Sequence, residues 1–533
     1  MSHSRLKEML RQQKRPEHSG SSPSRLQTDE PTQSPRTAAA SPILYLLPEL
    51  LAHIFSFCAL DAASPPSSRR PSSLPESKLA WVVVTHICRR WRQVALDYPL
   101  LWSNIVFDLG PSWAIEMLAR ARNSGVVFDL RLPYITAKEG RWARNLLVAH
   151  LHHTTTVTLR GSASEVDAVA ELLSTPAPAL EELRIEPDHY VFGEIPMALP
   201  PTLFAGKTPH LRSVFVRYCA LPWPFPALGE GLSSFGMWLP DPFSPFESHR
   251  VQCPSLSHLL DTLERMPNLE TLHLANCLPD TRADSYSPQA VELPRIAWLG
   301  LEGPAVDCRN LLSHVSIPST AQLSIRARLA SSDDLRPLIA FVSAHYAARG
   351  RPLHALDVEG TSSAFAGLEL RVRAWEDRSP EPEPALSFSL SWEHAGVLDP
   401  LDAMRRVCGA LPLDALRTLA VAVDGAKWTA QTWVETFGRC ARVERIRTAS
   451  PLEVRTLAAA LVGAAPRQDG AALPPTCVDA KSRVFGVGGA GVGVVMEEPL
   501  LDLQLQQAFE ASAWGLERTT GGFRVVRTVT ADC

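Results

Sequence analysis

The stretch LETLHLANC, residues 269–277, carries the pattern that decides the fold. Its apolar residues follow the order apolar-x-x-apolar-x-apolar. The alternation at its end places Leu272 and Leu274 on one face of a strand and His273 on the other. The same formula recurs along the chain, which predicts a repeated strand rather than a single one. The other clear copies begin at Leu180, Leu211, Ile296, Leu353 and Leu416.

Weaker copies of this formula lie between the clear ones. They occur at Val157–Leu159, Leu323–Ile325 and Val443–Ile446, and degenerate units at Leu232 and Leu386 fill two wide gaps. The spacings between clear copies are near one or two multiples of about 29 residues. Helix-like apolar spacing between the strands predicts helices that oppose them. These are the segments Val166–Leu173, Leu256–Leu263 and Ala403–Leu411.

This arrangement resembles the leucine-rich repeat, in which each unit pairs a strand with a helix or turn. The Asn276-Cys277 ending of one unit belongs to the same likeness. The resemblance implies an irregular leucine-rich-repeat-like solenoid over residues 110–475, with an open sheet face that binds a protein. An α/β domain with parallel strands and crossover helices shares this periodicity and remains an alternative. Side chains expected on the open face are Glu182, Arg184, Arg212, Phe215, His273, Trp298 and Arg417.

A different pattern precedes the repeats. Apolar residues from Leu47 to Cys58 are spaced by three or four and predict an amphipathic helix, with Pro48 in its first turn. A second apolar stripe, with arginines on its other face, consists of Val84, Ile87, Cys88, Trp91 and Val94. Short helices cannot bury this many large side chains among themselves, so a partner is expected to cover part of the surface.

Residues 42–109 resemble the F-box. The three parts of that family's pattern occur in order, as Leu47-Pro48 followed by Ile54-Phe55, as Ile87-Cys88-Arg89-Arg90-Trp91, and as Pro99-Leu100-Leu101-Trp102. The loop from Asp61 to Lys78 is longer than in compact F-boxes and resembles that of large fungal families. An ordinary helical hairpin that packs only on its own chain is the alternative. The resemblance implies docking on the Skp-family adaptor of a cullin-RING ubiquitin ligase through Leu47, Pro48, Leu51, Ile54, Phe55, Ile87, Cys88 and Trp91.

Composition limits the other functions that this chain could have. Apolar residues make up 45% of it and charged residues 20%, with a net charge of −4, so a basic nucleic-acid-binding protein is not expected. No apolar run is long enough for a membrane span, and residues 1–15 do not resemble a signal peptide. Ten scattered cysteines without a Cys-x-x-Cys pair favour reduced thiols in the cytoplasm or nucleus. Residues 1–41 are predicted to be a disordered tail and 476–533 a C-terminal cap or extension.

Two short motifs do not support a site. The glycines of Gly486–Gly491 match a dinucleotide fingerprint, but too little chain follows for that fold. His150, His152 and His153 lack acidic or thiol companions at metal-ligand spacing. No catalytic motif, cofactor site or metal site is therefore expected. The sequence predicts a non-catalytic substrate-recognition subunit of an SCF ubiquitin ligase, with an unknown protein as substrate. The alternative is a leucine-rich scaffold without ligase function.

Overall fold

The computed structural model describes most of the chain between residues 42 and 448 and a few short segments beyond. The described residues are 42–63, 80–107, 109–132, 137–187, 197–241, 253–279, 290–363, 367–377, 383–393, 396–423, 427–448, 453, 456–457, 460, 493–495, 514–519 and 522–527. The predicted tail at 1–41 lies outside them, and so does the glycine motif Gly486–Gly491. The chain divides into two compact units, Met1–Ile54 and Phe55–Cys533.

In the first unit, the described part begins with the 3-10 helix Pro42–Tyr45 and continues into helix α1, which runs from Pro48 to Ala63 and belongs to the second unit from Phe55 onward. Proline suits the first helical position because the missing N–H has no helical partner there. The amide of Leu51 donates to the carbonyl of Leu47 over 3.1 Å. Leu51 is fully buried, whereas the Leu47 and Leu50 side chains are 62% and 50% exposed. One flank of this helix therefore keeps its leucines at the surface.

The second unit contains the remaining helices of the described chain. The α-helices are α2 (Arg89–Asp97), α3 (Pro111–Ala121), α4 (Ala137–His150), α5 (Ala163–Ala170), α6 (Leu256–Glu264), α7 (Ala305–His314), α8 (Leu335–Arg349), α9 (Pro400–Ala410) and α10 (Ala430–Phe437). The 3-10 helices are Ala80–His86, Pro99–Trp102, Leu151–His153, Leu203–Gly206 and Ser332–Asp334. Side-chain caps begin several of the α-helices. Ser162, Ser255, Asp399 and Thr429 each accept a hydrogen bond from a first-turn amide.

The strands are short and mostly alternate with the helices. They are β1 (Asn104–Ile105), β2 (Val126–Arg131), β3 (Thr154–Gly161), β4 (Glu182–Pro187), β5 (Met197–Ala198), β6 (Ser213–Arg217), β7 (Cys219–Ala220), β8 (Ser234–Trp238), β9 (Thr271–Ala275), β10 (Val291–Glu292), β11 (Trp298–Pro304), β12 (Val315–Ser316), β13 (Gln322–Arg328), β14 (Ala355–Ser363), β15 (Gly367–Trp375), β16 (Leu386–Trp392), β17 (Thr418–Val423), β18 (Arg445–Thr448), β19 (Gly493–Val495), β20 (Trp514–Thr519) and β21 (Gly522–Arg527).

Fifteen of the described strands form one sheet. Its order is β1-β2-β3-β4-β6-β8-β9-β11-β13-β16-β15-β14-β17-β18-β19, and every pair is parallel except those that β15 makes with β14 and β16. From β3 to β13, each strand of this sheet pairs with the next one along the chain. The pairs β5–β7, β10–β12 and β20–β21 form separate two-stranded sheets. The protein is therefore mixed α/β with a large, mostly parallel sheet.

One segment breaks the sequential order. After β13 the chain passes two strand positions, forms β14, returns as the antiparallel strand β15, and places β16 beside β13. Strand β14 then pairs in parallel with β17, which follows helix α9. The clear unit at Leu353 and the degenerate unit at Leu386 thus lie on β14 and β16, two strands apart. Strand β15 has no counterpart in the predicted repeat.

The sheet buries one face and leaves the other partly open. Along β4, Leu183 and Ile185 are fully buried, and the residues that alternate with them, Glu182, Arg184 and Glu186, are half-buried. The same alternation runs along β6 and β17. This period of two follows from strand geometry and matches the apolar spacing in the sequence. The apolar positions of the repeated formula therefore form the core.

Several predictions about single elements can be compared with the structure. Strands occur at all six clear copies and at the degenerate units near Leu232 and Leu386. Helix α6 covers the predicted segment Leu256–Leu263, whereas α5 and α9 overlap the other two predicted helices but end earlier, at Ala170 and Ala410. The second predicted stripe, Val84–Val94, does not lie on one helix. A 3-10 helix ends at His86, and Cys88 has extended backbone, with φ −157° and ψ 167°, so α2 begins only at Arg89.

Candidate protein-interaction sites

Large apolar side chains are exposed in one part of the sequence. Eleven of them are exposed among the described residues, and nine of these lie between positions 43 and 100. Residues 43–54 of the first unit contribute Ile43, Tyr45, Leu47, Leu50 and Ile54, and the second unit contributes Phe57, Val83, Ile87 and Leu100. Exposed apolar groups concentrated in one stretch of sequence are typical of segments that take part in protein–protein contacts.

Aromatic packing holds the part of this segment that belongs to the second unit. The ring of Phe55, which is fully buried, packs on Trp91 with 5.1 Å between centroids. Helix α2 begins immediately after Cys88, whose sulfur accepts a hydrogen bond from the Trp91 amide over 3.5 Å. The residue types that resemble the family's second motif therefore fix the start of α2 and its packing.

Trp102 anchors the end of the segment. Its side chain is 1% exposed, and its indole nitrogen donates to the carbonyl of Ala95 over 2.8 Å. Trp81 meets it edge to face at 5.2 Å, and the Arg120 guanidinium lies 4.2 Å from its ring centroid. A buried indole with a satisfied N–H and a cation on its face is a stable anchor. It ties the 3-10 helix Pro99–Trp102 to α2 and α3.

The predicted adaptor contacts differ in exposure. Leu47 and Pro48 are exposed, and the side chains of Ile54 and Ile87 are 41% and 57% exposed. Cys88 and Trp91 are half-buried. Leu51 and Phe55 are fully buried within the chain. Leu50, Phe57, Val83 and Leu100 were missing from the prediction although they are exposed. The family pattern gives the motif positions but not their exposure, because exposure depends on which side of each helix packs against the rest of the chain.

A second candidate site lies on the open face of the sheet. Parallel pairing in register places one residue of each strand beside one of the next, so half-buried side chains form rows across the strands. One such row contains Arg184, Phe215, Gly236, His273 and Gly300. These residues are 116 positions apart from first to last. Only the strand register brings them together.

Ion pairs line both ends of this face. On the β3–β4 side, Arg160 bonds Asp129 over 2.8 Å and Glu186 over 2.9 Å. On the β14–β15 side, Arg373 bridges Asp357 over 2.6 Å and Glu359 over 2.7 Å. Burial raises the pKa of Asp357, and the nearby Arg373 offsets part of that rise. The arginines and carboxylates at both ends therefore largely satisfy one another.

Between these ion pairs lie four rings that we call the aromatic shelf: Phe215, Trp238, His273 and Trp298. Trp238 and His273 are 6.0 Å apart between centroids, and His273 meets Trp298 edge to face at 5.3 Å. A β-carbon at Gly236 would meet the Phe215 ring, and one at Gly300 would meet the Trp298 ring. Two glycines within strands thus let these rings lie close to the sheet.

The charge state of the shelf follows from its burial. His273 is half-buried, and burial, followed by the charge of Arg326, lowers the pKa of its imidazole. The ring is therefore neutral at physiological pH and serves as an aromatic group. The sequence placed Phe215, His273 and Trp298 on the open face but not Trp238, because the β8 unit is degenerate.

The three histidines of the 150s do lie together. His150 Nδ1 is 3.0 Å from His153 Nε2, and the rings of His152 and His153 are 4.6 Å apart. Burial and the two neighbouring imidazoles lower the pKa of His150. Across the described ranges, no group of three or more His, Cys, Asp or Glu side chains is arranged to hold a metal ion.

Comparison with known proteins does not assign the chain to a family. No family model matches the chain, and no curated protein sequence matches it. In the part of the chain that the structure describes, no helix combines the length and the apolar character that crossing a membrane requires.

Proposed function

We propose that this protein is a non-catalytic substrate-recognition subunit of an SCF ubiquitin ligase. Residues 42–109 would act as an F-box that docks on the Skp-family adaptor. The repeat region would present a protein substrate, in the cytoplasm or nucleus. The single observation that carries the proposal is the concentration of exposed large apolar residues between positions 43 and 100.

The direct adaptor contacts would come from the exposed members of this segment. In the first unit these are Leu47, Leu50 and Ile54, and in the second unit Phe57, Val83, Ile87 and Leu100. The buried Leu51 and Phe55 would hold the helices in place instead of meeting the adaptor. Interface cores are apolar and depend on a few anchors, which is consistent with this division of roles.

The repeat region would be an irregular leucine-rich-repeat-like array. Three features support this: strands of β3 to β13 that pair in chain order, buried positions that follow the repeated formula, and helices between many of the strands. Arrays of this kind bind proteins on their open sheet face. That face would receive the substrate.

The second candidate is a protein-interaction scaffold with the same repeat surface and no ligase partner. The two candidates differ in one measurable property, which is binding to the adaptor. Purified full-length protein is mixed with the Skp-family adaptor and passed over a sizing column. The proposal predicts co-elution at micromolar concentration. An adaptor that elutes alone beside folded protein would favour the scaffold.

A further inference from the structure

Arg217 stands apart from the other arginines beside the aromatic shelf. Arg184 is paired with Glu182 and Glu186, Arg326 with Glu302 over 3.1 Å, and Arg328 with Asp241 over 2.5 Å. Among the described residues, no carboxylate lies within ion-pair distance of Arg217. Of the arginines on the described strands from β4 to β13, it is the one whose charge no described carboxylate balances.

The guanidinium of Arg217 is also held in place. It lies 4.7 Å from the ring centroids of both Tyr218 and Trp238, and its Nη2 donates to the Tyr218 hydroxyl over 2.9 Å. Its Nε is buried and has no hydrogen-bond partner in the described structure. Because Nε is buried, an incoming carboxylate can reach only the terminal nitrogens Nη1 and Nη2, and a fixed guanidinium is suited to bind it there through two parallel N–H groups.

The rest of the shelf favours an aromatic group over a cation. Arg217 already occupies the face of Trp238, and a second cation there would meet its repulsion. The Trp298 ring packs over Gly300 and is perpendicular to the His273 ring, and because Trp298 is only half-buried, part of this apolar side chain is accessible at the far end. Aromatic pairs of this kind add to the free energy gained by burying apolar area.

The two ends are a defined distance apart. Arg217 is on β6 and Trp298 on β11, three strand spacings away through β8 and β9. Glu302 is the β11 residue level with Arg217, and Trp298 precedes it by four positions, so the strand spacing alone does not give the separation. The side chains do: the guanidinium lies 4.7 Å from the Trp238 centroid, that centroid 6.0 Å from His273, and His273 5.3 Å from Trp298. The two ends are therefore at most about 16 Å apart. An extended chain advances about 3.4 Å per residue, so about four residues span it.

We propose that the aromatic shelf binds an extended segment of a partner protein in which a carboxylate side chain meets Arg217 and an aromatic side chain, about four residues away, stacks on Trp298. The inference rests on the proposed function in taking the open sheet face as the substrate-binding surface. A phosphate dianion is a poorer match, because the neighbouring arginines are already paired and a single guanidinium would have to balance two charges.

A random peptide library displayed on phage tests this inference. Full-length protein is immobilised and panned, and the enriched peptides are sequenced and resynthesised. We expect Asp or Glu about four positions from Phe, Tyr or Trp. Arg217→Met, which keeps the aliphatic stem, should lose the acidic preference and weaken the synthetic peptide about tenfold or more. Trp298→Ala should lose the aromatic preference.

Matched controls separate binding from folding. Arg212→Met changes an exposed arginine just before β6 and should leave the consensus unchanged. If Arg217→Met lowers the melting temperature, Arg217→Lys replaces it and should retain the acidic preference with weaker affinity. No enrichment, a basic consensus, or an acidic consensus that survives Arg217→Met would overturn the proposal. Adaptor co-elution does not involve the shelf, so its failure would be recognised separately.

Discussion

The rings of Phe55 and Trp91 lie 5.1 Å apart and join helix α1 to helix α2. Phe55 has no exposed surface, so its removal leaves a cavity between the two helices. We expect Phe55→Ala to lower the free energy of unfolding by about 3–5 kcal/mol, the usual range for buried phenylalanine. Urea denaturation measures the change. Phe57→Ala, two positions along and 56% exposed, is the matched control and should change stability by less than about 0.5 kcal/mol.

The proposed adaptor binding should depend on exposed isoleucine in the F-box-like segment. Ile87 is 57% exposed, and Ile87→Ala should weaken binding of the Skp-family adaptor by about 2 kcal/mol, or about thirtyfold in Kd. Calorimetric titration of full-length protein gives this number. Ile115 is 53% exposed on helix α3, outside the F-box resemblance, and Ile115→Ala should bind as the parent does. Equal affinity for the two variants would place the contact surface elsewhere.

The aromatic shelf should be sensitive to a single methyl group beneath it. In Gly300→Ala the new β-carbon occupies space that the Trp298 ring fills, so the ring must swing away. We expect a changed near-ultraviolet circular dichroism spectrum and a loss of stability of about 1–3 kcal/mol. Gly396→Ala, where nothing lies within 4 Å, is the control. An unaltered spectrum for Gly300→Ala would contradict the close packing of this ring on the sheet.

Stability should fall as the pH falls below about 6.5. The pKa values of His150, His273 and His345 are lowered in the folded state, chiefly by burial. The unfolded chain therefore binds more protons than the folded chain between the folded and unfolded pKa values, and stability rises with pH across that window. Urea midpoints at pH 7.5 and 5.5 should show the difference.

The contribution of one histidine to this pH dependence can be isolated. His345 is 7% exposed, and its Nε2 lies 2.9 Å from the Ala321 carbonyl. His345→Gln keeps a hydrogen-bond donor and removes the titration, so its stability should depend less on pH than that of the parent. His210→Gln, at an exposed position, is the comparison. A steeper dependence in His345→Gln would be the wrong sign for a buried, neutral imidazole.

Truncation tests whether the sheet is one continuous array. A fragment of residues 42–303 ends inside β11 and removes β13, which pairs with it along seven residues. Leu299 and Leu301, now buried, would lose one side of their packing. We expect rapid proteolysis or aggregation, whereas residues 42–533 should stay monodisperse and bind the adaptor. A protease-resistant 42–303 fragment would mean that a domain boundary lies near residue 303.

The core of the sheet could be predicted because its information is local. Leu272 and Leu274 alternate with His273 in one short stretch, and the strand follows from that period. Strand β15 was missed because its apolar positions, Leu370 and Val372, lack the spacing that precedes the other strands. Its place between β14 and β16 is decided by pairing partners distant in sequence.

The candidate sites were predictable only in part. Motif order indicated where exposed apolar residues concentrate, but it could not separate the buried Leu51 from the exposed Leu50. That distinction depends on which side of helix α1 packs. The aromatic shelf depends on register: Trp238 and Trp298 are 60 positions apart and both lie beside His273. The sequence shows that these aromatic residues are present, but it does not show that they lie next to one another in the fold.

The detour after β13 has a consequence for synthesis on the ribosome. Strands from β3 to β13 can each join the sheet as soon as they emerge, because their partner has already been made. Strand β13 must then wait until Leu386–Trp392 has been translated, because β16 is its next neighbour. Until Leu386–Trp392 has been translated, the unpaired edge of β13 is a template for pairing with another chain. The interval between residues 328 and 386 is thus where a nascent chain would most need a chaperone.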